Sequence, residues 1–367
     1  MISTVSRYIA RLFLMRFAFL LLGLAALVVF LDFLADGDDV IDAGGGIVTP
    51  IVRYTILRLP EIVGELIPIA AMLAGFVTFA GLARHRELTA MLGAGISKFK
   101  LAAAVLPAAM LVGGMQFLIE DQAVPLAVGE LRAWGVGDYS DSSSNTTWIR
   151  QGTDIVRIHR LDRAARRLNG VTIYRRDETG NLLERIEADA AIQHGAGWTL
   201  EGVRRSSPGA PKAVEQERLE WPQGLRLDLL ISAATQPKET PLTALLEVSD
   251  QSDLGTQPGY RYKVWLNERL AGPVTSVVLI LLAVALAQPF ESHTGRGLLM
   301  AIWLGLGFVC WTFDGLVLTF GEIGLLPPAL AAWTPVLVFA ALAVTLMLHD
   351  ERRKVRPNDR LPSLGAA

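Results

Sequence analysis

The chain has 367 residues, of which 51% are hydrophobic, and its formal net charge is −2 at pH 7. A charge this close to neutral argues against a nucleic-acid partner, since such binding depends on a strongly basic surface. The single cysteine, Cys310, excludes an intrachain disulfide and leaves no second thiol for a metal site.

Hydrophobic residues are concentrated in two blocks on either side of a polar middle region. A membrane-spanning helix needs about 20 predominantly apolar residues. Six stretches reach or approach that length, and the predicted spans are 12–35, 66–83, 101–119, 271–287, 298–320 and 329–348. The first apolar run is longer than that of a signal peptide and is followed by Asp36-Gly37-Asp38-Asp39, so we expect a retained helix.

Basic residues in the short connections predict the orientation of these spans. They form four clusters, which consist of Arg7, Arg11, Arg16, Arg84, Arg86, Lys98, Lys100, Arg296, Arg352, Arg353, Lys354 and Arg356. With an even number of spans, all four clusters fall on one face. Basic connections favour the cytoplasm, so both termini are expected there, in a bacterial inner membrane, and the middle region on the periplasmic side.

The polar middle region has the pattern of short strands. Alternating runs at 154–159, 171–174 and 225–229 are separated by turn residues. Asn169-Gly170 is typical of a hairpin turn, and residues 177–181 predict another turn. Residues 241–252 are expected to form a short helix that leads back to the membrane. Closely spaced strands of this kind favour an antiparallel sandwich or jelly roll.

The predicted fold is therefore an α-helical polytopic membrane protein with six transmembrane helices and an inserted periplasmic antiparallel β domain of jelly-roll type. Its predicted divisions are spans one to three in 1–124, the β domain and return helix in 125–262, spans four to six in 263–350, and a cytoplasmic tail in 351–367.

The connection between the second and third spans, about 84–97, has the pattern of a short amphipathic helix. Leu88 and Met91 recur at helical spacing, while Arg84, Arg86 and Glu87 mark a charged face. Such a helix fits a groove on a cytoplasmic partner, or lies on the membrane with its cations near lipid phosphates. The nearby Gly93-x-Gly95-x-x-Lys98 lacks the ending of a phosphate-binding loop, so any ATP must be held by another subunit.

Polar residues at membrane depth are further candidates, because burying them is costly. Asp314 lies within the fifth span and Asp32 near the outer end of the first. Asp314 fits a helix–helix hydrogen bond or a substrate site, whereas Asp32 can reach the headgroups. An aspartyl protease would pair the two, but neither has the Gly-x-Gly-Asp setting of such enzymes.

Arg132, past the third span, can hold a phosphate or form a salt bridge to Glu130.

Several motifs along nearly the whole chain carry a family resemblance. They are Tyr54-Thr55-Ile56-Leu57-Arg58-Leu59-Pro60, Pro68, Arg84-x-x-Glu87-Leu88, Gly95, Val124-Pro125 with Arg132, Gly170-Val171-Thr172-Ile173-Tyr174, Arg261-Tyr262, Phe313-Asp314 and Gly324-x-x-Pro327-Pro328. Together they resemble the LptF/LptG-type permeases of the lipopolysaccharide export transporter, and more the LptG half than the LptF half.

The resemblance implies a non-enzymatic permease subunit that extracts lipopolysaccharide and passes it to a periplasmic bridge protein. Its implied partners are an LptF-type permease, an LptB-type ATPase dimer that holds ATP and Mg, and a single-span LptC-type subunit. No cofactor is expected in this chain. Glu87 matches the acidic residue of the family's coupling helix, and Arg132 a basic position that faces the lipid's phosphates.

One departure concerns the outer end of the first span. Comparable chains can carry lysines there, but residues 28–39, with Phe30 and Asp32 among the expected lipid contacts, contain no cation. A less anionic headgroup, a bridging divalent ion or a cation from the partner permease would each account for this. The LptF-type half and a non-transporting envelope scaffold are the alternative interpretations.

Overall fold

The computed structural model describes residues 4–42, 46, 48–136, 147–151, 153–162, 167–177, 179–194, 197–208, 214–221, 236–250, 258–287 and 296–355. Its α-helices are α1 (Thr4–Asp42), α2 (Val48–Arg84), α3 (Glu87–Gly93), α4 (Lys98–Leu118), α5 (Val124–Trp134), α6 (Leu242–Asp250), α7 (Gly259–Leu286), α8 (Arg296–Glu322) and α9 (Pro328–Val355). A π-helical turn, Ile119–Ala123, joins α4 to α5, and a 3-10 turn, Pro237–Glu239, precedes α6.

Within the described residues, five helices are long and apolar enough to cross a membrane. They are Thr4–Ile41, Val48–Arg84, Lys98–Trp134, Gly259–Leu286 and Pro328–His349. The remaining predicted span, 298–320, falls on α8, whose side chains are described only from Gly305 onward, so its spanning role stays a prediction. The prediction of apolar spans is thus confirmed for five of the six stretches.

The helices continue well beyond the predicted apolar runs. The stretch 36–65, which connects the first two predicted spans, is mostly helical, because α1 runs to Asp42 and α2 begins at Val48. Their extensions are held by a small apolar cluster in which Val40 and Tyr54 pack with Val124 of α5. Tertiary packing therefore prolongs both helices past the length that the bilayer alone would require.

The bundle has two distinct ends. At one end, called the α3 end, the Ser6 hydroxyl of α1 donates to the Ala104 carbonyl of α4 at 2.8 Å. At the opposite end, Trp265 of α7 donates to Glu322 of α8 at 2.5 Å. The start of α7 and the end of α8 thus lie at the opposite end from the starts of α1 and α4.

Glycines allow α7 to approach its neighbours closely. A Cβ added at Gly75 of α2 would lie 2.7 Å from the Ala283 side chain, and one at Gly113 of α4 would lie 2.8 Å from the Pro273 carbonyl oxygen. Contacts this short need residues without side chains, as at many helix interfaces in membranes. The helix α7 is therefore packed tightly between α2 and α4.

The described strands form one antiparallel six-stranded sheet in the order β1-β2-β3-β4-β5-β6. Their bounds are Thr147–Gln151, Asp154–Asp162, Arg167–Arg176, Leu182–His194, Gly197–Ser206 and Val214–Trp221. Each strand pairs with the next in the sequence, as in a meander, so the predicted antiparallel β domain is confirmed in this part of the chain. A jelly roll needs crossing connections, and the described strands do not confirm that topology.

The turn predictions met different outcomes. Asp177 accepts the Asn181 backbone N–H at 2.8 Å and forms the predicted turn between β3 and β4. The prediction for Asn169-Gly170 was wrong, because both residues lie inside β3. Gly170 has φ of 64°, and a Cβ there would lie 3.0 Å from that of His159 on β2, so the glycine serves close strand packing.

The helix expected at 241–252 is confirmed as α6. The strand predicted at 225–229 lies outside the described residues.

Candidate functional site

The segment after α2 forms the predicted short helix. Arg86 adopts a left-handed conformation, with φ of 60°, and breaks the helix so that α3 begins at Glu87. Leu88 is fully buried in the core of the bundle, and Met91 packs against that core. Glu87 is half-buried with its carboxylate against the Tyr8 hydroxyl of α1. The two sides of the predicted amphipathic helix therefore have different surroundings, because the apolar side holds α3 on the bundle.

The charged groups around α3 remain accessible. Arg84 and Arg86 are exposed, and so is Thr89 on the next turn. A cytoplasmic partner or a lipid surface would therefore meet cations and the partly covered carboxylate of Glu87. The predicted roles of these residues in coupling stay predictions.

Arg132 on α5 forms an ion pair with Glu239, which lies 107 residues away in the sequence. The alternative partner suggested by the sequence, Glu130, instead faces Arg53 at 3.9 Å on the surface. Burial raises the pKa of the Glu239 carboxyl, and the opposing effect of the Arg132 guanidinium does not cancel that rise. A lipid phosphate would have to compete with this carboxylate for Arg132.

The C-terminal half of α1 supplies Asp32 to a second charged group. The Asp32 carboxylate accepts from Arg58 at 2.9 Å and from the Tyr54 hydroxyl at 3.1 Å, both on α2. Arg58 also pairs with Glu61 one turn further along α2. Phe30 is exposed on the surface of α1. Asp32 is therefore held as a structural partner of α2, while Phe30 remains available to an apolar ligand.

The 3-10 turn Pro237–Glu239, called the return turn, connects these charged groups. Lys238 pairs with Glu65 and lies 3.8 Å from Glu61, both on α2. Burial lowers the pKa of Lys238, but the neighbouring carboxylates, chiefly Glu65, raise it more, so the net shift is upward. Together with the Arg132–Glu239 pair, these contacts attach the return turn to α2 and α5.

A buried arginine of α7 completes this attachment. Arg269 donates to the carbonyl oxygens of Lys238 at 2.7 Å and Thr240 at 3.0 Å, and also to that of Glu120 in the π-helical turn. In the same turn, Asp121 accepts the Leu242 backbone N–H at 2.6 Å and caps the start of α6. A π-helical turn widens the helix locally, which presents these groups to the return turn.

Asp314 lines a small, partly open cavity of about 50 Å³ between the helices, together with Glu268, Gln116 and Thr275. Asp32 is not among the lining residues, so the pair of carboxylates that an aspartyl protease would need is not formed from Asp32 and Asp314. Nearby, the Ser276 hydroxyl donates to Gln116 at 2.6 Å and joins α7 to α4. Among the described residues, no cluster of three or more His, Cys, Asp and Glu is arranged for a metal.

The sequence did not predict the contacts of several charged residues of the helices and the return turn. They are Arg58, Lys98, Lys238, Glu239, Glu268 and Arg269. Arg58 lay within a motif, and Lys98 was assigned only to a basic cluster. Arg269 and Glu268 stand immediately before an apolar run, and a charged pair in that position is a signal of buried interactions. The partners themselves depend on contacts between distant segments.

Comparison with known proteins gives consistent results. Residues 7–349 match the family described as lipopolysaccharide export system permease LptF/LptG. The chain is 25% identical to the lipopolysaccharide export system permease protein LptG of Haemophilus influenzae, with 93% of this chain and 97% of that protein covered. It is 24% identical to the protein of the same name from Escherichia coli K12, with 95% and 98% covered.

Proposed function

The chain belongs to the lipopolysaccharide export system permease family LptF/LptG, and we propose that it is the LptG-type permease of a transporter that extracts lipopolysaccharide from the inner membrane. The match over residues 7–349 carries this conclusion, because it covers both groups of helices and the sheet between them. Both relatives described above bear the name LptG, which favours the LptG half over the LptF half.

The α3 end is the cytoplasmic end in this proposal, and the sheet lies in the periplasm. Exposed Arg84, Arg86 and Lys100 at the α3 end support that orientation, because basic residues accumulate on the cytoplasmic side. The sheet would then be positioned to pass lipid to a periplasmic bridge protein, with an LptC-type single-span subunit nearby.

Energy for extraction comes from a separate LptB-type ATPase dimer that binds ATP and Mg. Each buried CH₂ of an acyl chain is worth about 0.8 kcal/mol, so unaided removal of a lipid with many chains is prohibitive. We assign α3 as the segment that meets the ATPase. Glu87 and the cations beside it form the contact, whereas buried Leu88 transmits movement into the bundle.

Lipid is expected to enter between this chain and an LptF-type permease. The exposed apolar face of α1, which includes Phe30, provides one wall for acyl chains. Arg132 is the proposed phosphate contact, and it becomes available when its pair with Glu239 opens. Asp32 contributes indirectly, because it fixes Arg58 and the outer ends of α1 and α2.

The decisive experiment is charge reversal at Glu87. We expect Glu87→Lys to lower lipopolysaccharide release by the reconstituted transporter by more than about tenfold, because buried or half-buried charge contacts at interfaces are worth a few kcal/mol. Release of lipopolysaccharide and ATP hydrolysis are measured in proteoliposomes that contain all subunits. Glu217→Lys, an exposed reversal on β6, is the matched control.

Normal assembly and normal release in Glu87→Lys would exclude coupling through α3. A wild-type chain that binds its envelope partners but releases no lipid with ATP would favour the scaffold interpretation. Recovery of a second LptG-type chain as the partner permease would instead assign this chain to the LptF half.

A further inference from the structure

Lys98, the first residue of α4, is a buried lysine at the α3 end. Only 4% of its surface is exposed, and its Nζ donates to the Ala285 carbonyl oxygen of α7 at 2.8 Å. Lys100, two residues later, is exposed. Burial of an ammonium group is costly unless it is hydrogen-bonded, so the contact with α7 is a specific interaction. It distinguishes Lys98 from the surface cations of the same cluster.

The partner of Lys98 lies in the last turn of α7, which ends at Leu286. Carbonyl groups of the last turn have no partner within their own helix, and the negative end of the helix dipole is located there. A lysine ammonium is suited to both features. Lys98 therefore caps α7 from a different helix, and it fixes the start of α4 to the end of α7.

The short helix α3 belongs to the same packed unit. Leu88 of α3, Leu101 of α4 and Ala285 and Ala287 at the end of α7 all belong to one buried cluster. The backbone between α3 and α4 is only four residues long, from Ala94 to Ser97. The short connection therefore links the position of α3 to the start of α4, which Lys98 in turn joins to α7.

The opposite part of α7 is attached in a similar way. Arg269 binds the carbonyl oxygens of Lys238 and Thr240 on both sides of Glu239, in the return turn that follows the sheet. Ala285 and Arg269 are separated by about 24 Å along the helix, at 1.5 Å per residue. Two buried cations thus attach one continuous helix at two points about 24 Å apart, and each does so through backbone carbonyl groups.

We propose that Lys98 is a positioning residue that couples α3 to α7, so that motor-driven movement of α3 reaches the return turn and the sheet through α7. The inference rests on the proposed function, because it takes α3 as the point where the ATPase acts. Packed helices with specific contacts at separate points are physical carriers of such coupling. ATP hydrolysis itself does not require Lys98.

The test compares Lys98→Met with Lys100→Met, which removes the same charge from the exposed neighbour. Each full-length variant is assembled with its ATPase, second permease and single-span subunit in proteoliposomes that contain lipopolysaccharide. ATP hydrolysis and transfer of lipopolysaccharide to the soluble bridge protein are measured together. Their ratio, the lipid transferred per ATP, reports coupling, and a purely structural role would not change it selectively.

We expect Lys98→Met to assemble, to retain ATP hydrolysis and to lower the lipid transferred per ATP by at least about fivefold, the lower end of typical coupling between sites. Lys98→Arg, which keeps a cationic donor, should restore much of that ratio, and Lys100→Met should match wild type. If Lys98→Met fails to assemble, Lys98→Gln, which keeps a neutral donor, is measured in its place.

An unchanged ratio in the neutral variant would overturn the proposal. It would also be overturned if both neutral variants failed to assemble, since Lys98 would then serve folding alone. Failure of the proposed function gives a different result, because the wild-type complex would then transfer no lipopolysaccharide with ATP.

Discussion

Charged side chains close together in the sequence have different environments in this protein. Arg132 is paired with Glu239 in a partly buried site, whereas Glu130 on the same helix forms a surface pair with Arg53. A surface pair contributes little to stability, but breaking a buried pair leaves an uncompensated charge. The return turn therefore depends on Arg132 far more than α5 depends on Glu130.

The pH dependence of stability tests the environment of Glu239. Because burial raises the pKa of its carboxyl against the effect of Arg132, the native state binds this proton more tightly than the unfolded state. The free energy of unfolding of wild type relative to Glu239→Gln should therefore fall as pH rises from about 4.3 through the raised pKa. Unfolding in detergent micelles across that pH range measures the difference.

Arg132, Glu61 and Lys238 also influence this carboxyl, so the comparison requires the same buffer and salt throughout. Glu130→Gln serves as the control for loss of a carboxylate from an exposed pair. If the free energy of unfolding of wild type rose with pH relative to that of Glu239→Gln, the assigned direction of the pKa shift would be contradicted.

At the scale of elements, close helix contacts depend on glycine. Gly113 faces the Pro273 carbonyl oxygen, while nothing lies within 4 Å of a Cβ added at Gly114. The two neighbouring glycines lie on the same helix, but only Gly113 is in close contact with α7. This difference allows the close contact between α4 and α7 to be tested separately from helix propensity.

We expect Gly113→Ala to destabilise the protein by about 1–3 kcal/mol, the usual range for overpacking, because its methyl group would push α4 from α7. Gly114→Ala should be neutral or slightly stabilising, since alanine favours the helix. Thermal unfolding of both variants in the same detergent gives the comparison. Equal stability of the two variants would show that α4 and α7 can separate without cost.

Patterns in the sequence predicted those helices and strands that form because of the residues they contain. Apolar runs identified the cores of α1, α2, α4, α7 and α9, and alternation identified β2 and β3. The full length of α1 depends on the packing of Val40 against α5, which hydropathy does not contain. Asn169-Gly170 has turn chemistry, but its place inside β3 is decided by pairing with β2 and β4.

Within the candidate site, the sequence predicted only the features that depend on residues close together in the chain. Glu87 begins a short helix as expected, because Arg86 breaks the preceding one. The contacts of Arg132, Lys98 and Arg269 join residues 107, 187 and up to 149 positions apart. No local pattern specifies partners at such separations, so these contacts follow only from the folded arrangement.

For the whole molecule, the proposed orientation places α3 and the sheet on opposite sides of the membrane. Cys310 is buried, and the chain has no other cysteine. In a Cys310→Ser background, we expect Thr89→Cys to react with a membrane-impermeant maleimide only after the inner membrane is permeabilised. Glu217→Cys should react once the outer membrane alone is opened, because both positions are exposed on their own sides.

Labelling intensity in spheroplasts and in lysed cells gives the measurement. The Cys310→Ser chain without an added cysteine sets the background. Reaction of both positions from the same side would contradict the orientation, and with it the assignment of α3 to a cytoplasmic motor.

The glycine contacts of α7 with two neighbouring helices restrict how the molecule can change shape. Gly75 brings α2 against Ala283, and Gly113 brings α4 against Pro273, so little space separates α7 from either neighbour. We therefore expect α2, α4 and α7 to move together as one unit. Any change in the space for lipid between the two permeases would then occur where this unit meets the other helices or the opposing permease.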